Sequence, residues 1–284
     1  MQALSETIRR RIAEALAEDV GSGDATTQWC VDAGARAKAE IATKTKGVIA
    51  GQPAAAEVYQ QLGGAEYQVI VRDGDWVSAG AVVARVSGSA RSILTGERTA
   101  LNLLGHLSGI ATLTHQFVLA VDGTGAKITD TRKTTPLWRE LERLATRAGG
   151  AVNHRRGLDK MVLIKENHLV CTGGIAQATR SVRESNSSGL SVEVETTNLE
   201  EVEAALAADV DRIMLDNMPV DAVRNAVLLI GKQSPRPEVE VSGGMTLSSV
   251  RDYADAGVDF ISVGALTHSA PALDLSLRIR SMET

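Results

Sequence analysis

Hydrophobic positions near the start of the chain recur at helical spacing. Four of them share one helical face: Leu4, Ile8, Ile12 and Leu16. Ser5 offers a cap, so an amphipathic helix is predicted over residues 4–18. Short alternating or apolar runs predict three strands, near 38–43, 66–71 and 82–87. With a helix near 53–62 between the first two, the first third is predicted to be a small α+β unit.

The pattern changes after a long helix predicted over residues 95–120. Six short apolar runs follow, at 127–131, 162–165, 191–195, 212–216, 238–241 and 260–263. Helical segments such as 199–208 separate most neighbouring runs. Repeated βα units of this kind predict a parallel sheet with right-handed crossovers. Because six strands are counted and not eight, the fold class is predicted to be α/β with an incomplete, distorted barrel.

Composition narrows the class of protein. The 284 residues are 44% hydrophobic but only 3% aromatic, so the core must be aliphatic, as suits buried parallel strands. A net charge of −5 argues against a nucleic-acid partner. No apolar run approaches the roughly 20 residues of a membrane span, and the charged start lacks a signal core, so a cytoplasmic protein is predicted. Cys30 and Cys171 are too isolated for a disulfide framework or zinc site.

Polar groups or glycines follow all six predicted strands. In chain order they are Arg132 with Lys133, Lys165, Glu195, Asp216, the run Ser242–Gly244, and Gly264. In parallel βα folds the carboxyl ends of the strands meet at one edge, where functional groups collect. These side chains are therefore predicted to share a site.

The charges of this predicted site divide into two types. Residues 131–168 hold nine Lys or Arg against four acids, which predicts a polyanionic ligand. Glu195 and Asp216 suit a magnesium ion that also binds substrate phosphates. Glu193 points to the same strand face as Glu195, and it either shares the site or pairs with a structural ion partner. The glycines of 242–244 and Gly264 suit backbone contacts to a phosphate.

Nine segments in order resemble the quinolinate phosphoribosyltransferase family. They are EDVGSGD at 18–24, GERTALN at 96–102, TRKTTP at 131–136, GGAVNHR at 149–155, LIKENH at 163–168, VEVE at 192–195, MLDNM at 214–218, VSGG at 241–244 and SVGALTH at 262–268. A related family associated with molybdenum transport tends to lose the NHR and K(D/E)NH segments, which this chain keeps. One departure is Leu137, where the family often has the glycine of a turn.

The resemblance implies roles for particular residues. Arg98 is implied to reach across a subunit interface to quinolinate. The rest of the quinolinate pocket is implied to be Arg132, His154, Arg155 and Lys165. The phosphoribosyl pyrophosphate site is implied to contain Lys133, Glu195, Asp216, Ser242, Gly243, Gly244, Gly264 and His268. The catalytic residues are expected to be Lys133, Lys165, Glu195 and Asp216. Magnesium is the expected cofactor, held directly or indirectly by Glu195 and Asp216.

The resemblance also implies an organisation and a reaction. An N-terminal α/β sandwich is expected over 1–105, joined by the tail 270–284, with the barrel over 106–269. A homodimer or hexamer with shared active sites is expected. The reaction would convert quinolinate and phosphoribosyl pyrophosphate to nicotinate mononucleotide, pyrophosphate and carbon dioxide, in NAD biosynthesis. Two alternatives remain: a transferase of this fold with another acceptor, and a non-catalytic sensor of phosphate ligands.

Overall fold

The protein is described by a computed structural model, which covers residues 4–283. Residues 1–3 and 284, the outer ends of the predicted first domain and its tail, lie outside the described residues. The chain forms two compact units. Within the described residues, the first unit comprises 4–115, Thr134–Gly150 and 266–283; the second comprises Gln116–Lys133 and Ala151–Ala265. The boundary predicted at 105/106 falls inside one continuous helix, so the division into domains stays a prediction.

The elements alternate along most of the chain. The helices are α1 Glu6–Val20, α2 Ala25–Cys30, α3 Gln52–Leu62, α4 Ala90–Ala120, α5 Arg139–Ala148, α6 Glu166–Thr172, α7 Ile175–Ser185, α8 Leu199–Ala207, α9 Val220–Ile230, α10 Val250–Ala254 and α11 Ala265–His268. The strands are β1 Arg36–Thr43, β2 Gly47–Val48, β3 Ala65–Val69, β4 Trp76–Val77, β5 Val82–Ser89, β6 Lys127–Thr129, β7 Val162–Ile164, β8 Val192–Thr196, β9 Arg212–Asp216, β10 Glu238–Ser242, β11 Phe260–Ser262 and β12 Leu275–Glu283. No helix within residues 4–283 is long and apolar enough to cross a membrane.

Helix α1 forms where the spacing of apolar residues predicted it. The Ser5 side chain accepts a hydrogen bond from the Ile8 N–H, which satisfies one of the free donors at the helix start. Ile8, Ile12 and Leu16 are buried on the face that packs into the first unit. Gly21 follows the last turn with a φ of 54°, which a glycine adopts without strain. The helix prediction is therefore confirmed, with ends shifted by two residues.

The first unit contains a four-stranded sheet in the order β12-β1-β5-β3. Strand β1 lies between β5 and β12 and pairs antiparallel with both. Its residues alternate in burial, and Ala37, Ala39 and Ile41 lie in the hydrophobic core of this unit. Strand β12, from the end of the chain, thus belongs to the same sheet as the early strands β1, β3 and β5.

The second unit contains six parallel strands in the order β6-β11-β10-β9-β8-β7. All six strands were predicted from the sequence and are confirmed. Strands β7 to β11 lie side by side in chain order, while β6 pairs with β11. The α/β class is confirmed, whereas closure of the sheet into a barrel stays a prediction.

The two faces of this parallel sheet differ in polarity. The register shows which residues are side by side and so share a face. One face is aliphatic and buried, and it includes Val192, Val194, Ile213, Leu215, Val239, Val241 and Ile261. The other face carries the residues at alternate positions, among them Lys165, Glu193, Glu195, Arg212, Asp216, Glu240 and Ser242. Parallel strands are usually apolar on both faces, so a charged face requires a separate explanation.

Leu137 occupies a turn with a left-handed backbone, as its place after Thr135 and Pro136 suggested. Its φ is 73° and its side chain is exposed. A left-handed conformation costs an L-residue with a side chain roughly 1–2 kcal/mol, and glycine avoids that cost.

Leu137→Gly is therefore expected to stabilise the protein by about 1 kcal/mol, because the relief of strain exceeds the added entropy of the unfolded chain. Urea unfolding of the two proteins measures the difference. Leu158→Gly is the control, because Leu158 is also exposed but does not have a positive φ. This substitution should not stabilise the protein. A lower midpoint for Leu137→Gly would contradict the prediction.

Candidate active site

The carboxyl ends of neighbouring strands bring predicted site residues together on the polar sheet face. Lys165 follows β7, Glu195 lies near the end of β8, and Asp216 ends β9. Since these three strands are adjacent in the sheet, the three side chains belong to one edge of it. Ser242 ends β10 directly beside Asp216 in the register. The convergence predicted from the strand ends is therefore observed for these four residues.

Lys165 and Glu195 form an ion pair between Nζ and Oε2. The Lys165 side chain is 45% exposed and that of Glu195 12%, so the pair lies partly open to solvent. The Lys165 backbone N–H donates to His168 Nδ1 at 2.9 Å, which fixes the start of α6. The Lys165 side chain, at the end of β7, thus reaches Glu195 on the neighbouring strand β8.

The loop after β10 requires glycine. Gly243 has a φ of 94°, and a Cβ there would lie 2.2 Å from Asn217 Oδ1. The Asn217 N–H donates to the Ser242 carbonyl at 2.9 Å, and its side-chain amide donates to Asp216 Oδ2 at 2.6 Å. Asn217 therefore couples the ends of β9 and β10, and the glycine leaves room for it.

Asp130, just after β6, anchors the segment that carries two predicted site residues. Its side chain is fully buried, and its Oδ1 accepts the His154 N–H at 2.7 Å. Its Oδ2 accepts from Asn153 Nδ2 at 2.7 Å. Arg155 then donates from Nη1 to the Met161 carbonyl at 3.0 Å. The loop from 153 to 155 is therefore tied to the end of β6.

Cations lie close together beside this loop. Burial lowers the pKa of Arg155, and the nearby positive charge of Arg132 lowers it further. Arg132 and Lys133 are both exposed in the loop after β6. The Lys133 N–H donates to Thr131 Oγ1 at 3.1 Å, which turns the chain there. Two arginines whose like charges repel each other suit a ligand with several negative charges.

A buried charge cluster lies on the same sheet face. His154 Nε2 is 3.3 Å from Glu193 Oε2 and 3.3 Å from Glu240 Oε2. Arg212 Nη1 donates to Glu240 Oε2 at 2.9 Å, and Nε and Nη2 of the same side chain donate to Glu238. The carboxylates of Glu193 and Glu240 are fully buried. Glu193 is thus a buried partner of His154, and Glu195 is the acid at the open edge.

The cluster shifts the protonation of its members. Burial lowers the pKa of His154, but the two carboxylates outweigh it and raise the pKa to about 9. Burial and the adjacent Glu240 raise the pKa of Glu193. For Glu240, burial raises the pKa, yet His154 and Arg212 hold it below the ordinary value. The ligand atoms of His154, Glu193 and Glu240 lie within 4.8 Å of one another. Because Arg212 already binds Glu240, the cluster supplies its own positive charge.

Several residues of these networks were not singled out from the sequence, among them Asp130, Arg212 and Glu240. The sequence did contain a pattern that could have identified Arg212 and Glu240. Charged residues that alternate with apolar ones along a strand lie on one face of the sheet, so that face must be polar. Arg212 and Glu240 occupy such positions in β9 and β10. For Asp130, only its place immediately after β6 set it apart.

The remaining predicted residues are more dispersed. Gly264 is half-buried between β11 and α11. Arg98 is exposed on α4 and belongs to the first unit. His268 is exposed at the end of α11, also in the first unit, and its Nδ1 lies 2.6 Å from Ser269 Oγ. The roles assigned to these residues stay predictions.

Family models cover most of the chain. Residues 24–108 match the quinolinate phosphoribosyl transferase N-terminal domain, and residues 110–278 match the C-terminal domain. The chain is 47% identical to a probable nicotinate-nucleotide pyrophosphorylase (carboxylating) of Synechocystis sp., across 93% of this chain and 90% of that protein. It is 44% identical to the nicotinate-nucleotide pyrophosphorylase (carboxylating) of Mycobacterium leprae, across 97% and 96%. The structure of the nicotinate-nucleotide pyrophosphorylase from Francisella tularensis superposes with a TM-score of 0.92 at 39% identity, over 98% of each chain.

The fold and the site define an α/β protein with charged groups collected at the carboxyl ends of a parallel sheet. Within that class, the chain belongs to the quinolinate phosphoribosyltransferase family, because both family domains match in order and the relatives align along nearly the whole chain. The resemblance inferred from the nine sequence segments is therefore confirmed.

The buried cluster makes Arg212 a stability determinant. Arg212→Leu is expected to lower the free energy of unfolding by about 3–5 kcal/mol, because it removes the cation that binds buried Glu240 at 2.9 Å. Chemical denaturation followed by circular dichroism measures this loss. Arg224→Leu is the matched control, since Arg224 pairs with Asp221 in solvent and such pairs contribute about 0–1 kcal/mol. Equal losses in the two variants would refute the assignment.

Proposed function

We infer that the protein is a carboxylating nicotinate-nucleotide pyrophosphorylase, a decarboxylating pentosyltransferase that acts in NAD biosynthesis. It joins quinolinate to phosphoribosyl pyrophosphate and releases nicotinate mononucleotide, pyrophosphate and carbon dioxide. The observation that carries this function is the match to both family domains, with relatives of that activity aligned across more than nine-tenths of the chain. The chemistry of the site is compatible with it, since both substrates are polyanions and cations collect at the strand ends.

The quinolinate pocket is proposed to use cations from three segments. Arg132, Arg155 and Lys165 supply positive charge to the two carboxylates, and the planar guanidinium group suits bidentate contacts. His154 is proposed to line the pocket next to Arg155, in the loop that Asp130 anchors. Arg98 is proposed to reach this pocket from a neighbouring subunit, as in a homodimer or hexamer with shared active sites. Its exposed position on α4 is compatible with that contact.

The phosphoribosyl pyrophosphate site is proposed to extend along the same edge of the sheet. Lys133 would contact the pyrophosphate, while Glu195 and Asp216 would face the ribose hydroxyls. The 5′-phosphate would be bound by residues from the last strand ends: Ser242, Gly243, Gly244, Gly264 and His268. Glycines let backbone N–H groups approach a phosphate closely. The positive φ values of Gly243 and Gly244 support this use of the loop.

Magnesium is the proposed cofactor. Carboxylate oxygens are the ligands it prefers, and it commonly binds one or two of them together with substrate phosphates. Glu195 and Asp216 offer such oxygens at adjacent strand ends, so the donor set fits. When bound, the ion would neutralise charge on the pyrophosphate. The Lys165–Glu195 pair is compatible with an indirect role for Glu195, in which a lysine rather than the ion neutralises this acid.

The proposed reaction needs no protein nucleophile. The pyridine nitrogen of quinolinate attacks the anomeric carbon while the bond to pyrophosphate breaks, through a state with oxocarbenium character. Lys133 stabilises the negative charge on the departing pyrophosphate, and Glu195 and Asp216 favour the positive charge on the ribose. The cations of the pocket hold the nitrogen in line for attack.

Loss of carbon dioxide follows from the product of that first step. The ring nitrogen now bears a positive charge, so the electron pair left at C2 when the carboxylate departs is stabilised next to it. A proton then replaces the carboxylate. Lys165, as part of the proposed pocket, keeps the quinolinate carboxylates oriented during both steps.

Purified protein incubated with quinolinate, phosphoribosyl pyrophosphate and magnesium is expected to form nicotinate mononucleotide and carbon dioxide in equal amounts. Nicotinate in place of quinolinate should give little product, because the pocket cations match two carboxylates. Liquid chromatography and carbon dioxide release measure the products. Binding of phosphate ligands without turnover, or equal use of nicotinate, would reject the proposed function.

Lys133→Ala and Lys165→Ala are each expected to lower kcat/KM by about a hundredfold or more, since one preorganised charge contact contributes about 3 kcal/mol to the barrier. Steady-state kinetics measures the change, and circular dichroism verifies that each variant is folded. Lys232→Ala, at an exposed lysine far along the chain from these segments, is the control and should keep normal turnover. Near-normal rates in both folded site variants would rule out the assigned roles.

A further inference from the structure

Asn217 follows Asp216 in a backbone conformation that few residues adopt. Its φ is 54°, and among the non-glycine residues that the structure describes only Leu137 and Asp209 also have a positive φ. Asparagine is one of the few residues with a side chain that enters this left-handed region readily. Because Asn217 is exposed, packing of its side chain in the core does not explain the conformation. Its place at a strand end, next to a residue of the candidate site, points to a functional reason.

The neighbours of Asn217 hold this conformation from both sides. The Asn217 N–H donates to the Ser242 carbonyl at 2.9 Å, which ties it to the end of β10. The next carbonyl, that of buried Met218, accepts a hydrogen bond from the Tyr253 hydroxyl at 3.1 Å. The backbone on each side of Asn217 is thus fixed, so the direction in which its side chain leaves the chain is fixed as well.

The Asn217 side chain turns back to Asp216. Nδ2 donates to Asp216 Oδ2 at 2.6 Å, and this orientation of the amide follows because an ionised carboxylate only accepts hydrogen bonds. The amide oxygen Oδ1 then lies toward Gly243, where a Cβ would be 2.2 Å from it. A side chain at position 243 would therefore push the amide away from Asp216. The glycine at the end of β10 thus allows Asn217 to reach the carboxylate at the end of β9.

The two acids at this edge of the sheet have different partners. Lys165 binds Glu195 and neutralises its charge. The amide of Asn217 is neutral, so it orients the Asp216 carboxylate and leaves its negative charge in place. The bond engages Oδ2, so a ligand would meet the other oxygen, Oδ1. Asp216 is therefore held in one orientation without the loss of its charge.

We propose that Asn217 is a positioning residue that presents Asp216 to the ribose hydroxyls, and that this contact makes the site selective for a ribose with both hydroxyls. A carboxylate that is oriented before the ligand arrives loses less entropy when it binds, and its contacts are correspondingly stronger. Asn217 acts through Asp216 and does not have to touch the substrate. The inference rests on the proposed function, because it concerns the proposed place of Asp216 beside the ribose.

The affinities for two nucleotides test this selectivity. The probes are nicotinate mononucleotide and its 2′,3′-dideoxy analogue, which lacks both ribose hydroxyls. Wild-type protein is expected to bind the first about tenfold more tightly or better, because a hydrogen bond to a charged group contributes about that much. Asn217→Gly should reduce this ratio to about threefold or less, since glycine keeps the left-handed backbone and removes only the amide. Isothermal titration calorimetry without magnesium measures the affinities. An unchanged ratio in the variant, or no preference in wild-type protein, would overturn the proposal.

Asp209→Gly is the matched control. Asp209 is exposed and has nearly the same φ, 53°, but it precedes β9 and so lies at the opposite end of that strand from Asp216. The control therefore makes the same change in backbone freedom away from the candidate site, and it should keep the wild-type ratio. Circular dichroism verifies that both variants are folded. An equal loss of the ratio in the two variants would contradict the positioning role.

Asn217→Asp separates the hydrogen bond from the shape of the side chain. Aspartate fills the same space beside Gly243, but its carboxylate oxygen repels Asp216 where the amide donated a hydrogen bond. The ratio is expected to fall as it does in Asn217→Gly. The added negative charge weakens the binding of both nucleotides, since both carry the phosphate, and so it cancels in the ratio. A wild-type ratio in this variant would assign the effect to shape and would refute the proposed role of the bond.

Steady-state kinetics gives an independent measurement. Asn217→Gly is expected to raise the KM for phosphoribosyl pyrophosphate about tenfold and to change the KM for quinolinate less than about threefold, because only the first substrate carries the ribose. Equal increases in the two KM values would contradict the proposal.

The wild-type measurements separate this inference from the proposed function. If wild-type protein forms nicotinate mononucleotide but the Asn217 variants keep its nucleotide preference, only the positioning role fails. If wild-type protein neither binds nor forms nicotinate mononucleotide, the proposed function fails, and the inference fails with it.

Discussion

The second unit depends on one constraint: buried charges on the polar face of its parallel sheet must be neutralised by neighbouring residues. Parallel strands with helices over the sheet are normally aliphatic throughout. Here Arg212 and Glu240 lie on adjacent strands and bind each other at 2.9 Å, and His154 approaches the same carboxylate. Without these partners, a buried carboxylate would be highly unfavourable. The register of the sheet is therefore specified by charge as well as by aliphatic packing.

The same face changes character toward the carboxyl ends of the strands. Glu193 is fully buried and lies 3.3 Å from His154 Nε2, whereas Glu195, two residues later on β8, pairs with a half-exposed lysine. One carboxylate belongs to the interior and the other to the edge where ligands can arrive. The period of two along a strand puts both on one face, and depth alone gives them different surroundings. Glu193 thus lies below the site, in the interior of the protein, and Glu195 lies where it can contact a ligand.

Much of this arrangement follows from patterns in the sequence. The six parallel strands were predicted from short apolar runs, and the meeting of Lys165, Glu195 and Asp216 followed from their places at strand ends. The cluster of Arg212 with Glu240 could not be derived in the same way, because it depends on which strands are neighbours and in what register. The anchor Asp130 depends on a loop that folds back from position 153. Contacts across strands and loops are tertiary facts, which local periodicity does not contain.

The ion pair between Lys165 and Glu195 also affects how the proposed substrates would bind. Lys165 neutralises Glu195 in this ion pair, so each holds the other in place. A dicarboxylate that binds Lys165 must compete with Glu195, and Glu195 then needs another positive group. Positive charge on the ribose in the transition state can meet that need, as can a magnesium ion near the pyrophosphate. In the proposed reaction, exchange of partners at this pair would link the binding of quinolinate to the positive charge that develops on the ribose. An isolated cation in the same place would bind the dicarboxylate, but it would not create that link.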